Sequence, residues 1–292
     1  MYDPTTDAPS LSLVIPVFDA VEQLPATLEA LDDFAAHYPD SLEIVLVDDH
    51  SRRLETQVML EEFARQRGFV RLLRNECNRG KGFSVTRGML AARGRHRVFT
   101  DVDLAYPLDQ VHRILADLRA GADVAIACRV LPESRYVMSP TFFHYLYTRH
   151  LMSRAFNAVV RGLLLPGILD TQAGLKGFTA EAATLCFEHS TIPGFGFDIE
   201  CLFVAQQRGL VIRQTAVRFH YDDEPTTVRF ARDGRRMLKD IWRVKANAWR
   251  GRYAARHDRV VDLNGDRAPA LDAPTAVDAA GESSTRPMAG AL

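Results

Sequence analysis

An α/β fold, with a mostly parallel central sheet flanked by helices, is predicted by three observations. Between residues 11 and 127, short apolar runs alternate with segments whose apolar residues recur at helical spacing. That alternation is the pattern of parallel strands joined by crossover helices. The acidic and glycine-rich clusters then fall just past the ends of those runs, on the edge where open α/β sheets bind ligands.

The elements follow in order. Leu11–Ile15, closed by Pro16, reads as a buried first strand. A helix follows, with Pro25 in its first turn and Leu24, Leu28 and Leu31 on one face. Glu43–Val47 is the second strand and ends in Asp48-Asp49-His50-Ser51; the next helix points Val58, Met59 and Phe63 inward. Phe69–Leu73 is the third strand, and the basic, glycine-rich turn Asn78–Phe83 leads into a helix through Met89. Val98–Thr100 forms strand four and delivers Asp101-Val102-Asp103 at its carboxyl end, where residues two apart share a side. Val111, Ile114, Leu115 and Leu118 mark another one-faced helix, and Asp123–Ala127 is strand five, ending at Arg129. The second half is less regular. Residues 142–165 are apolar but interrupted by arginines, Asp170-Thr171-Gln172-Ala173-Gly174 follows, Gly194–Asp198 opens a helix, and Val211–Val217 reads as a late strand.

The chain has 292 residues, 47% apolar and 25% charged, which fits a globular domain over residues 11–250. Residues 1–10 read as a loose lead-in, and residues 256–292, rich in Ala, Asp, Pro and Ser, as a disordered tail. A formal net charge of −1 provides no field for a nucleic-acid partner. The four cysteines lack Cys-x-x-Cys spacing and read as reduced residues of a cytoplasmic protein. No secretory pattern opens the chain, and no apolar run reaches the roughly 18 residues of a membrane span. The expectation is a soluble protein, or one resting on the inner membrane face.

Several residue groups suggest chemistry. Asp101 and Asp103 would repel each other without a cation between them, and hard oxygen ligands suit Mg²⁺ or Mn²⁺ completed by substrate phosphates; a solvated acidic turn is the plainer alternative. Asp48 and Asp49 are placed to bond a base and ribose, or merely to form a turn. The Asn78–Phe83 turn offers backbone N–H groups and Lys81 to a phosphate, although its spacing is not that of a Walker A loop. Asp198 is a general base, an orienting group, or a cap for the helix after it. Arg129 and Arg135 are candidates for an acceptor or donor phosphate. Residues 229–252 hold nine basic residues against Asp233 and Asp240, a local charge of +7, with Met237, Leu238, Ile241, Val244 and Ala248 at helical spacing. Such a helix docks on a membrane surface or packs on the sheet with a solvated basic face. The histidines show no metal-ligand spacing.

Taken together, Val14-Ile15-Pro16, Val47–Ser51, Asn78–Gly82, Arg87-Gly88-Met89, Asp101–Leu104, Asp170–Gly174 and Phe197–Glu200 resemble the family-2 inverting glycosyltransferases with the GT-A nucleotide-sugar fold. The likeness is strongest to dolichyl- or polyprenyl-phosphate glucosyltransferases and phosphomannose synthases, and the motifs keep that order over residues 11–250. The resemblance implies that Pro16, Phe18, Asp48, Asp49 and Gln172 line the nucleotide-sugar donor site. It implies that Lys81 and Arg87 lie near its diphosphate and that Asp103 holds a metal, with Asp101 on metal or ribose. It further implies transfer of a hexose, from a UDP-glucose-type donor before GDP-mannose, to a polyprenyl phosphate at the cytoplasmic membrane face. A soluble hydroxyl acceptor, or donor binding without catalysis, are the alternatives. Three positions depart from the family pattern: Phe18-Asp19-Ala20 replaces Tyr-Asn-Glu, His50 replaces Gly, and Thr226-Thr227-Val228 replaces Ser-Lys-Val, removing an expected acceptor-phosphate lysine.

Overall fold

The computed structural model describes residues 8–138, 157–221 and 230–253. The expected tail, Thr226–Val228 and most of the 142–165 stretch lie outside these residues. Seven strands form one sheet in the order β3-β2-β1-β4-β7-β5-β8. They are β1 (Leu11–Val17), β2 (Leu42–Asp48), β3 (Val70–Arg74), β4 (His96–Phe99), β5 (Val124–Cys128), β7 (Lys176–Thr179) and β8 (Ile212–Ala216). Only β7 runs antiparallel to its neighbours, β4 and β5. Two short strands, β6 (Arg135–Met138) and β9 (Arg218–Tyr221), pair in parallel as a separate ribbon.

Helices cover both faces, as parallel strands buried on two sides require. On one face Leu11, Leu13 and Ile15 of β1 pack with α1 (Leu24–His37), α2 (Leu54–Gln66) and α4 (Asp109–Arg119). The alternate residue Val14 points to the other face, with α3 (Lys81–Ala91), α5 (Ala180–Phe187), α6 (Phe197–Gln207) and α7 (Phe230–Trp249). Among the described residues, no helix is long and apolar enough to cross a membrane.

Three readings of the sequence need adjustment. β1 continues through Pro16 to Val17 instead of stopping at the proline. The lead-in is anchored at its end: Ser10 is buried, and its hydroxyl lies 3.2 Å from the Tyr38 hydroxyl. Strands β6, β7 and β9 span only four residues each, too few to stand out as strands from their own sequence.

Glu43, buried within β2, fastens four segments. Its carboxylate accepts hydrogen bonds from the Ser12 hydroxyl, from Arg71 Nη1 at 2.7 Å and from the Arg93 backbone at 2.8 Å. Burial pushes its pKa up, but these donors outweigh burial and hold it below the ordinary 4.5. A depressed folded-state pKa gives stability that is present above 4.5 and is lost as pH falls through the lower folded value. Glu43→Gln should therefore cost about 1–3 kcal/mol at pH 7. The gap to wild type should close as pH falls from 4.5 through that lower folded value, as followed by urea unfolding across pH.

Candidate active site

The chain runs from β1 outward to β2 and β3, then returns to place β4 on the other side of β1. This reversal opens a crevice at the carboxyl ends of β1 and β4. Pro16 helps to make it. The Thr100 backbone N–H donates to Val14 at 3.0 Å, and two residues further along β1 Pro16 has no N–H to continue the ladder. β4 therefore ends, and the chain turns away at Asp101.

The acidic pair consequently sits in a turn beyond the strand, not on it, and its two members differ. The turn is closed by the Leu104 N–H on the Asp101 carbonyl at 3.2 Å, with Leu104 itself at φ 47°. Asp103 is exposed, and one of its oxygens accepts from the Ala105 N–H at 3.1 Å. Asp101 faces inward. Its Oδ1 lies 2.6 Å from Lys81 Nζ and has no aligned hydrogen-bond donor. Its Oδ2 abuts the backbone of Gly174, where a Cβ would stand only 2.2 Å away. A side chain at residue 174 would push the Asp101 carboxylate out of this position.

The aspartates after β2 are both buried and both bonded within the protein. Asp48 accepts from the Ser51 N–H and from Arg74 Nε, each at 2.9 Å. Asp49 accepts from Asn75 Nδ2 at 2.7 Å, the Arg79 N–H at 2.9 Å and the Gly80 N–H at 2.7 Å. Two of the amides expected to face a phosphate are thus held by Asp49. The glycines of this turn serve a close approach: a Cβ on Gly82 would fall 2.6 Å from the Gly194 carbonyl oxygen. Arg87 reaches the Arg74 carbonyl and Asn75 Oδ1 at 2.6 and 2.7 Å, bracing the loop after β3. His50 stands at φ 61°, a conformation that favours the glycine it replaces.

Behind Asp101 lies a second ion pair. Lys176, fully buried on β7, donates to Asp198 Oδ1 and to the Ala173 carbonyl, each at 2.5 Å. Asp198 therefore does not cap the helix. Gly196 holds the cap position of α6, and the Asp198 side chain turns inward to Lys176. Burial pushes the Asp198 carboxyl above the ordinary aspartate value, opposed by Lys176 and Lys81. Burial works against the Lys81 charge, but Asp101 and Asp198 outweigh it and raise its pKa.

The remaining candidates are placed as follows. Gln172 Nε2 and Thr100 Oγ1 are buried beside the Asp101 turn without hydrogen-bond partners, although buried polar atoms are normally satisfied. Phe18 is 39% exposed at the crevice edge, with the Arg52 guanidinium 5.3 Å from its ring. Arg129 grips Asp170 through Nε at 2.7 Å and Nη2 at 2.9 Å, so that face of its guanidinium is occupied. Arg135 is exposed on β6, apart from this cluster.

Sequence reading missed Lys176, Asp19 and Asn75. Lys176, in the mixed stretch Leu175-Lys176-Gly177-Phe178, carried no signal, and only the fold shows that it is buried. Asp19 accepts from the Arg52 N–H at 2.6 Å and the Arg53 N–H at 3.0 Å, joining the loops after β1 and β2.

Among the described residues, no group of three His, Cys, Asp or Glu is arranged to hold a metal. The Asp101 turn nonetheless fits a hard cation that draws its other ligands from phosphate and water, because Asp101 Oδ1 lacks an aligned donor and Asp103 is open to solvent.

The acidic turn lies at the switch point of a doubly wound sheet, where folds of this class bind their ligands. The description glycosyl transferase family 2 matches residues 12–174. The dolichyl-phosphate beta-glucosyltransferase of Drosophila melanogaster is 30% identical over 84% of this chain and 78% of its own. The Dictyostelium discoideum protein of the same name is 28% identical over 81% and 77%. Among solved structures, glucosyl-3-phosphoglycerate synthase from Mycobacterium tuberculosis in complex with UDP superposes with a TM-score of 0.59 over 83% of this chain and 82% of that one. Its 18% identity speaks for the fold alone. The chain belongs to glycosyl transferase family 2 and is a glycosyltransferase with a GT-A-like fold.

The buried pair sets a stability test. Lys176→Met leaves Asp198 buried without its lysine and should cost about 3–5 kcal/mol. The double variant Lys176→Met/Asp198→Leu should recover most of that loss, as read from urea unfolding midpoints.

Proposed function

We propose that this glycosyltransferase moves a hexose from a nucleotide sugar to a polyprenyl phosphate, inverting the anomeric centre by direct displacement. UDP-glucose is the favoured donor and GDP-mannose the next. The observation that carries the reading is the charged cluster at the switch point, where Lys81 and the Asp101 turn face one crevice. The names of the insect and slime-mould relatives support a lipid-phosphate acceptor and a glucosyl group. A structural neighbour crystallised with Mn²⁺ and UDP-glucose supports the donor and a divalent ion.

Residue roles follow from placement. Lys81, at the mouth of the crevice, meets the donor diphosphate, and Asp103 with Asp101 would hold Mg²⁺ or Mn²⁺. When bound, the ion supplies Lewis-acid neutralisation of the departing diphosphate. Phe18 offers its exposed ring to the base. Gln172 Nε2 and Thr100 Oγ1 are buried donors that lack protein partners beside the reacting end.

A lipid phosphate is already anionic near neutral pH and needs no base. Asp198 fits that chemistry, being 5% exposed and fastened to Lys176 behind the Asp101 turn. A hydroxyl acceptor is the second reading: burial raises the Asp198 pKa toward that of a general base, and that base would also have to reach the proton it removes.

The surface of α7 supports membrane docking. Ile241 and Val244 are buried, whereas Trp242 is 70% and Trp249 96% exposed, two turns apart with exposed Arg243 and Arg250 beside them. Tryptophan and arginine together suit the headgroup region of an anionic bilayer.

Purified protein with Mn²⁺, radiolabelled nucleotide sugars and polyprenyl phosphate should give organic-phase label only when the lipid is present. Asp103→Ala or a chelator should lower it at least about a hundred-fold, the scale of losing one preorganised electrostatic contact. Asp198→Asn should only weaken lipid transfer, through the disturbed Lys176 pair; activity with a soluble hydroxyl acceptor that this variant abolishes would favour the hydroxyl reading. In flotation with anionic vesicles, Trp242→Ala/Trp249→Ala should weaken binding about ten-fold, and unchanged flotation would remove α7 from the proposal.

A further inference from the structure

The Lys81–Asp101 contact carries a consequence for the order in which ligands bind. This rests on reading the crevice as a metal and nucleotide site. Asp101 has one oxygen, Oδ2, pressed against the Gly174 backbone. The other, Oδ1, is held by Lys81 at 2.6 Å. A cation that is to bind this oxygen must take the place where the ammonium now stands. The Lys81 and Asp101 side chains are 22% and 27% exposed while Oδ1 itself is buried, so the contact lies just inside the solvent boundary.

We propose that Lys81 is a resident cation that holds Asp101 while the donor is absent and moves to the donor diphosphate when donor and divalent metal arrive together. Charge balance favours this exchange. Asp101, Asp103 and Asp198 face two ammoniums, Lys81 and Lys176, which leaves one net negative charge. A divalent ion alone would turn the cluster positive and confront Lys81 at close range. A diphosphate entering with the metal restores the balance and gives Lys81 a new partner. Lys176 cannot take over the role, because Asp198 and the Ala173 carbonyl hold its ammonium in the core. The Lys81 stem is likewise well placed: it begins at the first residue of α3, after a turn fixed by Asp49, and its ammonium lies 5.9 Å from the Phe195 ring. An ammonium on a flexible stem can leave Asp101 without moving the backbone.

The test is Mn²⁺ binding to the full chain, read as free Mn²⁺ by electron paramagnetic resonance, with and without UDP. Wild type should bind Mn²⁺ weakly alone and at least about ten-fold more tightly with UDP. Lys81→Met and Lys81→Gln should bind Mn²⁺ alone at least about ten-fold more tightly than wild type and lose most of the dependence on UDP. Lys81→Arg, which keeps the charge on Asp101, should bind Mn²⁺ alone as weakly as wild type. Circular dichroism melts confirm that each variant is folded. If wild type shows the UDP dependence but neither neutral variant binds Mn²⁺ more tightly, the resident-cation proposal is overturned. If wild type binds no Mn²⁺ even with UDP, the metal–nucleotide reading fails, and this inference with it.

Discussion

The ion pair between Lys176 and Asp198 is the constraint around which the site is arranged. A fully buried lysine is tolerated only when its charge and protons are met, and here one carboxylate and one carbonyl meet them. The pair ties β7, in the middle of the sheet, to the first turn of α6. Because Ala173 and Gly174 lie just upstream of β7, the same contact fixes the segment that presses on Asp101. The inner ion pair thus sets the position of the outer one between Asp101 and Lys81. Four charges from four different elements form a short chain leading from the core to the crevice.

The aspartates show how one residue type divides its work. Asp49 spends its oxygens on an asparagine and two backbone amides, so its main effect is to shape the turn that presents Lys81. Asp19 does the same between the loops after β1 and β2. Asp103, which accepts from the Ala105 N–H at 3.1 Å, has an exposed side chain beside the Asp101 turn.

Much of the fold was legible because buried parallel strands are plain apolar runs. Leu11–Ile15, Glu43–Val47 and Asp123–Ala127 each fell within a residue or two of an observed strand, and Val111 to Leu118 marked α4. Strands β6 and β9 were not legible, since a two-stranded ribbon exposed on one side needs no apolar run. β7 was hidden for another reason: its four residues include two that answer to distant contacts, Lys176 to Asp198 and Gly177 to the packed Ile114. At the site, the motifs marked the right places but not the geometry. Asp101-Val102-Asp103 read as a strand tip, whereas Pro16 ends the β1–β4 ladder and a turn takes over. Glycines read as a phosphate cradle proved to admit the 192–194 backbone. Spacing along the chain reports which residues are close in sequence, and these contacts join segments about a hundred residues apart.

The position of β7 also bears on how the chain is made. β4 and β5 follow each other in sequence but touch only through β7, nearly fifty residues later than β5. A nascent chain that has emerged through β5 can close the four-strand half, β3-β2-β1-β4, yet leaves the inner rim of β4 open to solvent. That rim presents unpaired amides and carbonyls in the middle of the future sheet, where an extended segment of another molecule could add on. Synthesis slowed between residues 128 and 176 would lengthen that exposure.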